Sequence, residues 1–169
     1  MITPIVDPLS EEAVSTYLHD VARLTEGNYN TDGWAFPTLY HLLLSHGRRF
    51  TVSPPPPDLT AMEPRLCYSN AARYARDHRS EGLVYAEGFA LPGGVDFPLA
   101  HAWCIRADGT VVDPTWADTP GRAYIGVAFR DPQRWPYDGG GILQDPDRSY
   151  PLLKDGLPED SLLPAGRPL

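Results

Sequence analysis

Lysine is almost missing from this chain: Lys154 is the only one, and the 14 basic residues form no run longer than Arg48-Arg49. Against them stand 22 acidic residues, for a net charge of −8. Such a surface repels polyanions, so nucleic acid and anionic membrane are excluded as expected partners. Cysteine is scarce as well. Cys67 and Cys104 are too few for a disulfide scaffold and lack the paired spacing of a zinc site. His19, His41, His46 and His78 show no ligand spacing with one another or with the cysteines, so neither a metal nor a cofactor is expected. Long apolar runs are absent, the longest falling far short of the ~20 residues that span a bilayer. Met1 to Ser10 shows no basic, apolar and cleavage-site regions in series, and the expectation is a cytoplasmic protein.

Proline, by contrast, is abundant, with 19 in 169 residues, about twice the usual ~5%. Hydrophobic residues at 42% and charged residues at 21% are ordinary globular values. The chain is therefore expected to fold as one domain over residues 1–169 with many loops. From a cap at Ser10, apolar residues at Val14, Tyr17, Leu18, Val21 and Leu24 predict a helix ending near Gly27. A second is predicted with Pro37 in its first turn and Gly47 at its end. Pro54 to Pro57 reads as an extended spacer. Arg65 to His78 predicts a third helix with Cys67 in its opening turn.

Leu83 to Leu91 alternates as a strand. Large Leu83, Tyr85, Glu87, Phe89 and Leu91 fall on one side, and small Val84, Ala86, Gly88 and Ala90 on the other, where a helix is expected to pack closely. Glu87, among the large residues, contacts substrate, belongs to a buried polar network or faces water. His101–Arg106 and Thr110–Trp116 predict a hairpin, and Tyr124–Phe129 a further strand. From Asp131 onward Pro and Gly are dense, which predicts a tail that lies on the domain or is partly mobile.

Chemistry concentrates at three of these elements. A cysteine at a helix start sits at the positive end of the dipole, where thiolate is favoured over thiol. His101 on a strand can carry the proton, and Asp113 on the next strand can fix the imidazole tautomer. The hairpin tests this. A two-residue turn at Asp108-Gly109 turns Asp113 away from His101. A three-residue loop, Ala107-Asp108-Gly109 with Gly109 left-handed, makes paired residues sum to 216 and places His101, Trp103, Ile105 and Asp113 on one face. The bulged loop is the expectation. Cys104 alternates off the His101 face and is expected to pack.

The segments Cys67-Tyr68-Ser69-Asn70, Gly82 to Ala90, His101-Ala102-Trp103-Cys104-Ile105 and Val111-Val112-Asp113-Pro114-Thr115-Trp116 together resemble the transglutaminase-like branch of the papain-like cysteine enzymes. The resemblance covers about residues 64–130. It implies an α+β fold in which a cysteine-bearing helix packs on an antiparallel sheet, preceded by N-terminal helices and followed by the Pro/Gly-rich tail. It also implies a Cys67-His101-Asp113 triad acting through a thioester on a peptide, protein or small amide substrate, resolved by water or by an amine. Such enzymes commonly add an oxyanion-stabilising side chain ahead of the cysteine, and no Gln lies upstream of Cys67. Trp34 and the Asn28-Tyr29-Asn30 stretch are candidates for that role. Asn70, one turn after Cys67, is expected near the site or capping backbone. Trp103 and Trp116 are expected to pack in the core or to line an acyl pocket. Two other classes stand beside catalysis: an inactive relative using the cleft for binding, and an assembly protein using the proline spacer and tail.

Overall fold

Asp7, not Ser10, begins the first helix. Its carboxylate accepts hydrogen bonds from the Ser10 N–H and hydroxyl at 3.2 and 2.6 Å, and Pro8 follows with its fixed φ, so α1 spans Pro8–Thr25. The computed structural model describes residues 5–169; the start of the amino-terminal segment read above, residues 1–4, lies outside the described residues. In α2 (Leu39–His46) the cap residue is Thr38, so Pro37 precedes the helix rather than opening it. The chain then forms β1 (Arg48–Phe50), α3 (Cys67–Asp77), β2 (Val84–Leu91), β3 (Leu99–Ile105), β4 (Val111–Val112), β5 (Ala123–Ala128), α4 (Pro146–Asp155) and β6 (Arg167–Pro168). Among the described residues this is an α+β architecture of four α-helices and one six-stranded sheet, ordered β4-β3-β2-β5-β1-β6 with every neighbouring pair antiparallel. None of the described helices is long and apolar enough to cross a membrane.

The hairpin has the bulged register. Cys104 pairs with Val112 and Ile105 with Val111, Gly109 has φ 83°, and Arg106 and Thr110 close a three-residue loop. The Asp108 carboxylate accepts from the Thr110 N–H and hydroxyl at 2.9 and 2.7 Å, which fixes the turn.

The expectation for the two faces of β2 is reversed. The helices cover the large face: Tyr85 and Phe89 share a core with Val14, Leu18, Leu42, Ala71 and Ala75. Alanines on α3 and Ala102 on β3 supply the close approach instead, and Cys104 Sγ donates to the Ala71 carbonyl at 3.1 Å across it. The small face of β2 makes room for rings from its neighbours, since Ala86 and Ala90 pack with Trp103, Tyr124 and Phe50. Gly88 and Gly126 pair here, and a Cβ on Gly126 would stand 2.9 Å from the Trp103 ring and 2.4 Å from the Glu87 carbonyl.

The carboxy-terminal segment is no loose tail. Asp145 caps α4 and Pro146 opens it; Ile142, Leu143, Leu152 and Leu153 are buried in the helix-side core, and Ala165 lies on the opposite side of the sheet. β6 then pairs with β1, and Arg167 forms an ion pair with the buried Glu11 of α1. Arg76 of α3 donates to the Trp135 and Pro136 carbonyls at 2.6 and 3.0 Å and lies 3.7 Å from the centre of the Tyr137 ring.

Candidate functional site

Cys67 is the first residue of α3, and no side chain caps that helix: Leu66 occupies the cap position. Arg65 just before it has φ 68°, a left-handed conformation uncommon outside glycine, which turns the chain sharply into the helix. The Cys67 N–H therefore opens the helix with no side-chain acceptor of its own. Asn70, one turn on, is 3% exposed and donates from Nδ2 to the Glu63 carbonyl at 2.7 Å and to the Thr115 hydroxyl at 3.1 Å. It ties the cysteine helix to the turn that follows Asp113 and does not face an opening.

His101 lies where β3 has lost its outer neighbour. β4 pairs only with Cys104 and Ile105, so among the described residues the β3 edge from Leu99 to Trp103 has no adjacent strand. His101 Nε2 lies 2.8 Å from Asp113 Oδ2, and since a carboxylate only accepts, the imidazole donates there and leaves Nδ1 for another partner. Cys67, at the start of α3, lies close enough to the ring to favour its protonated form. Burial, the largest single influence, lowers the His101 pKa, but the charge and hydrogen bond of Asp113 with those of Cys67 outweigh it and raise it from 6.5 to about 9. Trp116 stacks on the same ring, with centroids 3.6 Å apart and planes at 11°. A tryptophan face in that position also favours the imidazolium.

Asp113 is fully occupied. Its Oδ1 accepts from the Thr115 and Trp116 N–H groups at 3.0 and 3.1 Å, and its Oδ2 accepts from His101 and from the Tyr124 hydroxyl, both at 2.8 Å. Tyr124 in turn accepts from the Gly121 N–H at 2.9 Å. Burial first, then the Asp113 charge, pushes the Tyr124 phenol well above its ordinary range, so it stays protonated and donating. The three central groups are enclosed, with exposures of 9% for Cys67, 2% for His101 and 6% for Asp113.

Two candidates from the sequence lie elsewhere, and a third packs behind the site. Trp103 is fully buried, its ring near-parallel to His101 with centroids 6.2 Å apart and edge-on to Phe50 and Tyr124; among the described residues its indole N–H has no partner. Trp34 and Asn30 line a separate cavity with Tyr40 and Tyr150, and none of Cys67, His101 and Asp113 borders it. Cys104 packs against α3, and burial pushes its thiol well up, which keeps it protonated.

Sequence reasoning did not place Tyr124 or Trp116 on the triad. The Tyr124 strand carried no signal beyond alternation, and the Asp113-Pro114-Thr115-Trp116 turn brings the indole back over His101 only in three dimensions. Glu87 belongs to a buried network, one of the alternatives open at the sequence level. Its carboxylate accepts from Tyr85 OH, Ile142 N–H and Leu143 N–H at 2.7 Å each and from Gln144 N–H at 3.3 Å. Burial pushes its pKa up and these four donors push back. Among the described residues no three His, Cys, Asp or Glu side chains gather as a metal site.

Compared with protein-family models, curated proteins and solved structures, the chain matches none of them.

Proposed function

We propose that the chain is a thiol-dependent acyl enzyme of papain-like, transglutaminase-like architecture, with Cys67 as nucleophile, His101 as proton carrier and Asp113 as the group that orients the imidazole. The observation that carries this reading is the buried His101–Asp113 pair, 2.8 Å apart, with Cys67 at the start of α3 near enough to bear on the same imidazole. Supporting it is the cysteine-bearing helix lying on an antiparallel sheet whose open edge presents His101. With the His101 pKa raised to about 9, the imidazole holds a proton at neutral pH that it can pass to a leaving group.

The chemistry then runs in two balanced halves. The Cys67 thiolate attacks a carbonyl carbon, forming a C–S bond and an oxyanion, which the Cys67 N–H at the positive end of α3 stabilises. Collapse breaks the bond to the amine or alcohol, which leaves with the proton from His101. Water or an amine next attacks the thioester and gives its proton to His101, expelling the thiolate with the acyl group released as acid or amide. Asp113, held by its four donors, keeps the imidazole oriented through both halves.

A small activated ester, p-nitrophenyl acetate, tests this. The expected result is a burst of p-nitrophenolate and a hydroxylamine-labile acetyl group mapped to Cys67, absent in Cys67→Ala. Acetyl transfer that is equal in Cys67→Ala contradicts the mechanism. The low exposure of Cys67, 9%, favours a second reading, a non-catalytic binding module built on the same frame. That reading is supported by an intact fold with no Cys67 acetylation by any of a series of esters of increasing reactivity.

A further inference from the structure

A sizeable recess lies apart from the triad. A cavity of about 510 Å³ sits between the end of α1, the segment leading into α2 and the start of α4, and it is walled by Tyr29, Trp34, Tyr40 and Tyr150 with Asn30 and Gln144 among its polar lining groups. Its walls come from distant parts of the chain and are fixed to one another. Ala35 and Phe36 donate backbone hydrogen bonds to Lys154 and Leu153 at 3.1 and 2.8 Å, and the Trp34 and Tyr150 rings meet edge to face at 5.7 Å. Leu143 and Gln144, on the third side, are held by the Glu87 carboxylate. A site of this volume, concave and preformed, is in the range that encloses a small molecule.

Charge decides the kind of molecule. The chain has 36 charged residues, 14 basic and 22 acidic, yet none lines this cavity. A ligand charge brought in here would find no counter-ion on the walls. Burial pushes the Tyr40 phenol up to about 12, so that wall is also neutral. Four aromatic rings instead offer edge-to-face and stacked contacts to a flat apolar body, and the amides of Asn30 and Gln144 offer hydrogen bonds to a polar group on it. We propose that this cavity is a binding site for a neutral, ring-bearing small molecule, separate from the Cys67-His101-Asp113 group and independent of the reading given to that group.

The test is an amide-resolved NMR titration of the full chain with indole as probe, and with benzoate and benzylamine as charged probes of similar size. The expected result is saturable indole binding at about a millimolar or tighter, with shifts centred on Trp34, Leu143 and Tyr150. The charged probes bind severalfold more weakly than indole, since the walls offer them no counter-ion. Trp34→Ala and, as a variant at an exposed position, Tyr150→Ala each weaken indole severalfold. Absence of saturable binding, shifts centred away from these residues, benzoate or benzylamine binding as well as indole, or unchanged affinity in a folded Tyr150→Ala overturns the proposal.

Discussion

The Tyr124 hydroxyl donates at 2.8 Å to Asp113 Oδ2, the same oxygen that takes the His101 Nε2–H bond. Tyr124 thus acts on the triad from behind: it helps hold the buried carboxylate aimed at His101. Tyr124→Phe removes a hydrogen bond to a charged group, a contribution of about 1.5–3 kcal/mol, and leaves the Gly121 N–H without its acceptor. The expected outcome is a loss of stability of that order in urea denaturation. A severalfold fall in the rate of Cys67 acylation accompanies it.

Asp113→Asn places an amide where four donors converge, so at least one donor faces an NH2 group. His101 loses the partner that fixes its tautomer. By analogy with triads in which the acid is replaced by its amide, acylation falls by roughly 10³–10⁴ without vanishing. Single-turnover kinetics measures it, and a rate within threefold of the parent removes Asp113 from the mechanism.

Stability carries a pH signature from His101. Its folded-state pKa, about 9, exceeds the ordinary 6.5, so the folded state holds a proton that the unfolded chain has released between those values. The contribution is fully present below about pH 6.5 and is lost as pH rises through about 9. Urea midpoints measured across that interval are expected to fall with pH in the parent and to fall less in His101→Gln. Equal slopes in the two proteins contradict the assignment.

Glu87 is the anchor of the carboxy-terminal segment. Glu87→Ala leaves three N–H groups and the Tyr85 hydroxyl without their acceptor, at about 1–3 kcal/mol for each group that stays buried. The segment is expected to release rather than bear that cost. Limited proteolysis then cuts between Asp138 and Gln144 in the variant, where the parent resists.

What the sequence disclosed follows from the range over which each signal acts. The three N-terminal helices, β2 and the register of the β3–β4 hairpin were legible because local periodicity and one left-handed glycine, Gly109, determine them. β1 and β6 were not, since three and two residues carry no period and exist only by pairing with partners far along the chain. The segment after Asp131 was expected to lie on the domain or to be partly mobile, and it lies on the domain; α4 and β6 within it were not foreseen because its Pro and Gly density looks like a loop. The Asp145-Pro146 pair that caps and opens α4 was the local signal available. Cys67, His101 and Asp113 were nameable from residue type and order. The Trp116 stack, the Tyr124 bond and the burial of Trp103 depend on how the sheet brings its rings together, and Asn30 and Trp34 were placed near Cys67 on sequence order alone.

The most direct test of the central claim is the pH dependence of iodoacetamide labelling at Cys67 against Cys104, followed by peptide mapping. An activated nucleophile predicts labelling confined to Cys67, sustained at about pH 6, well below the ~8.5 at which a free thiol ionises, and slowed in His101→Ala. Slow labelling of Cys67 that rises only at alkaline pH and is indifferent to His101→Ala contradicts a shared thiolate–imidazolium site and leaves the binding-module reading.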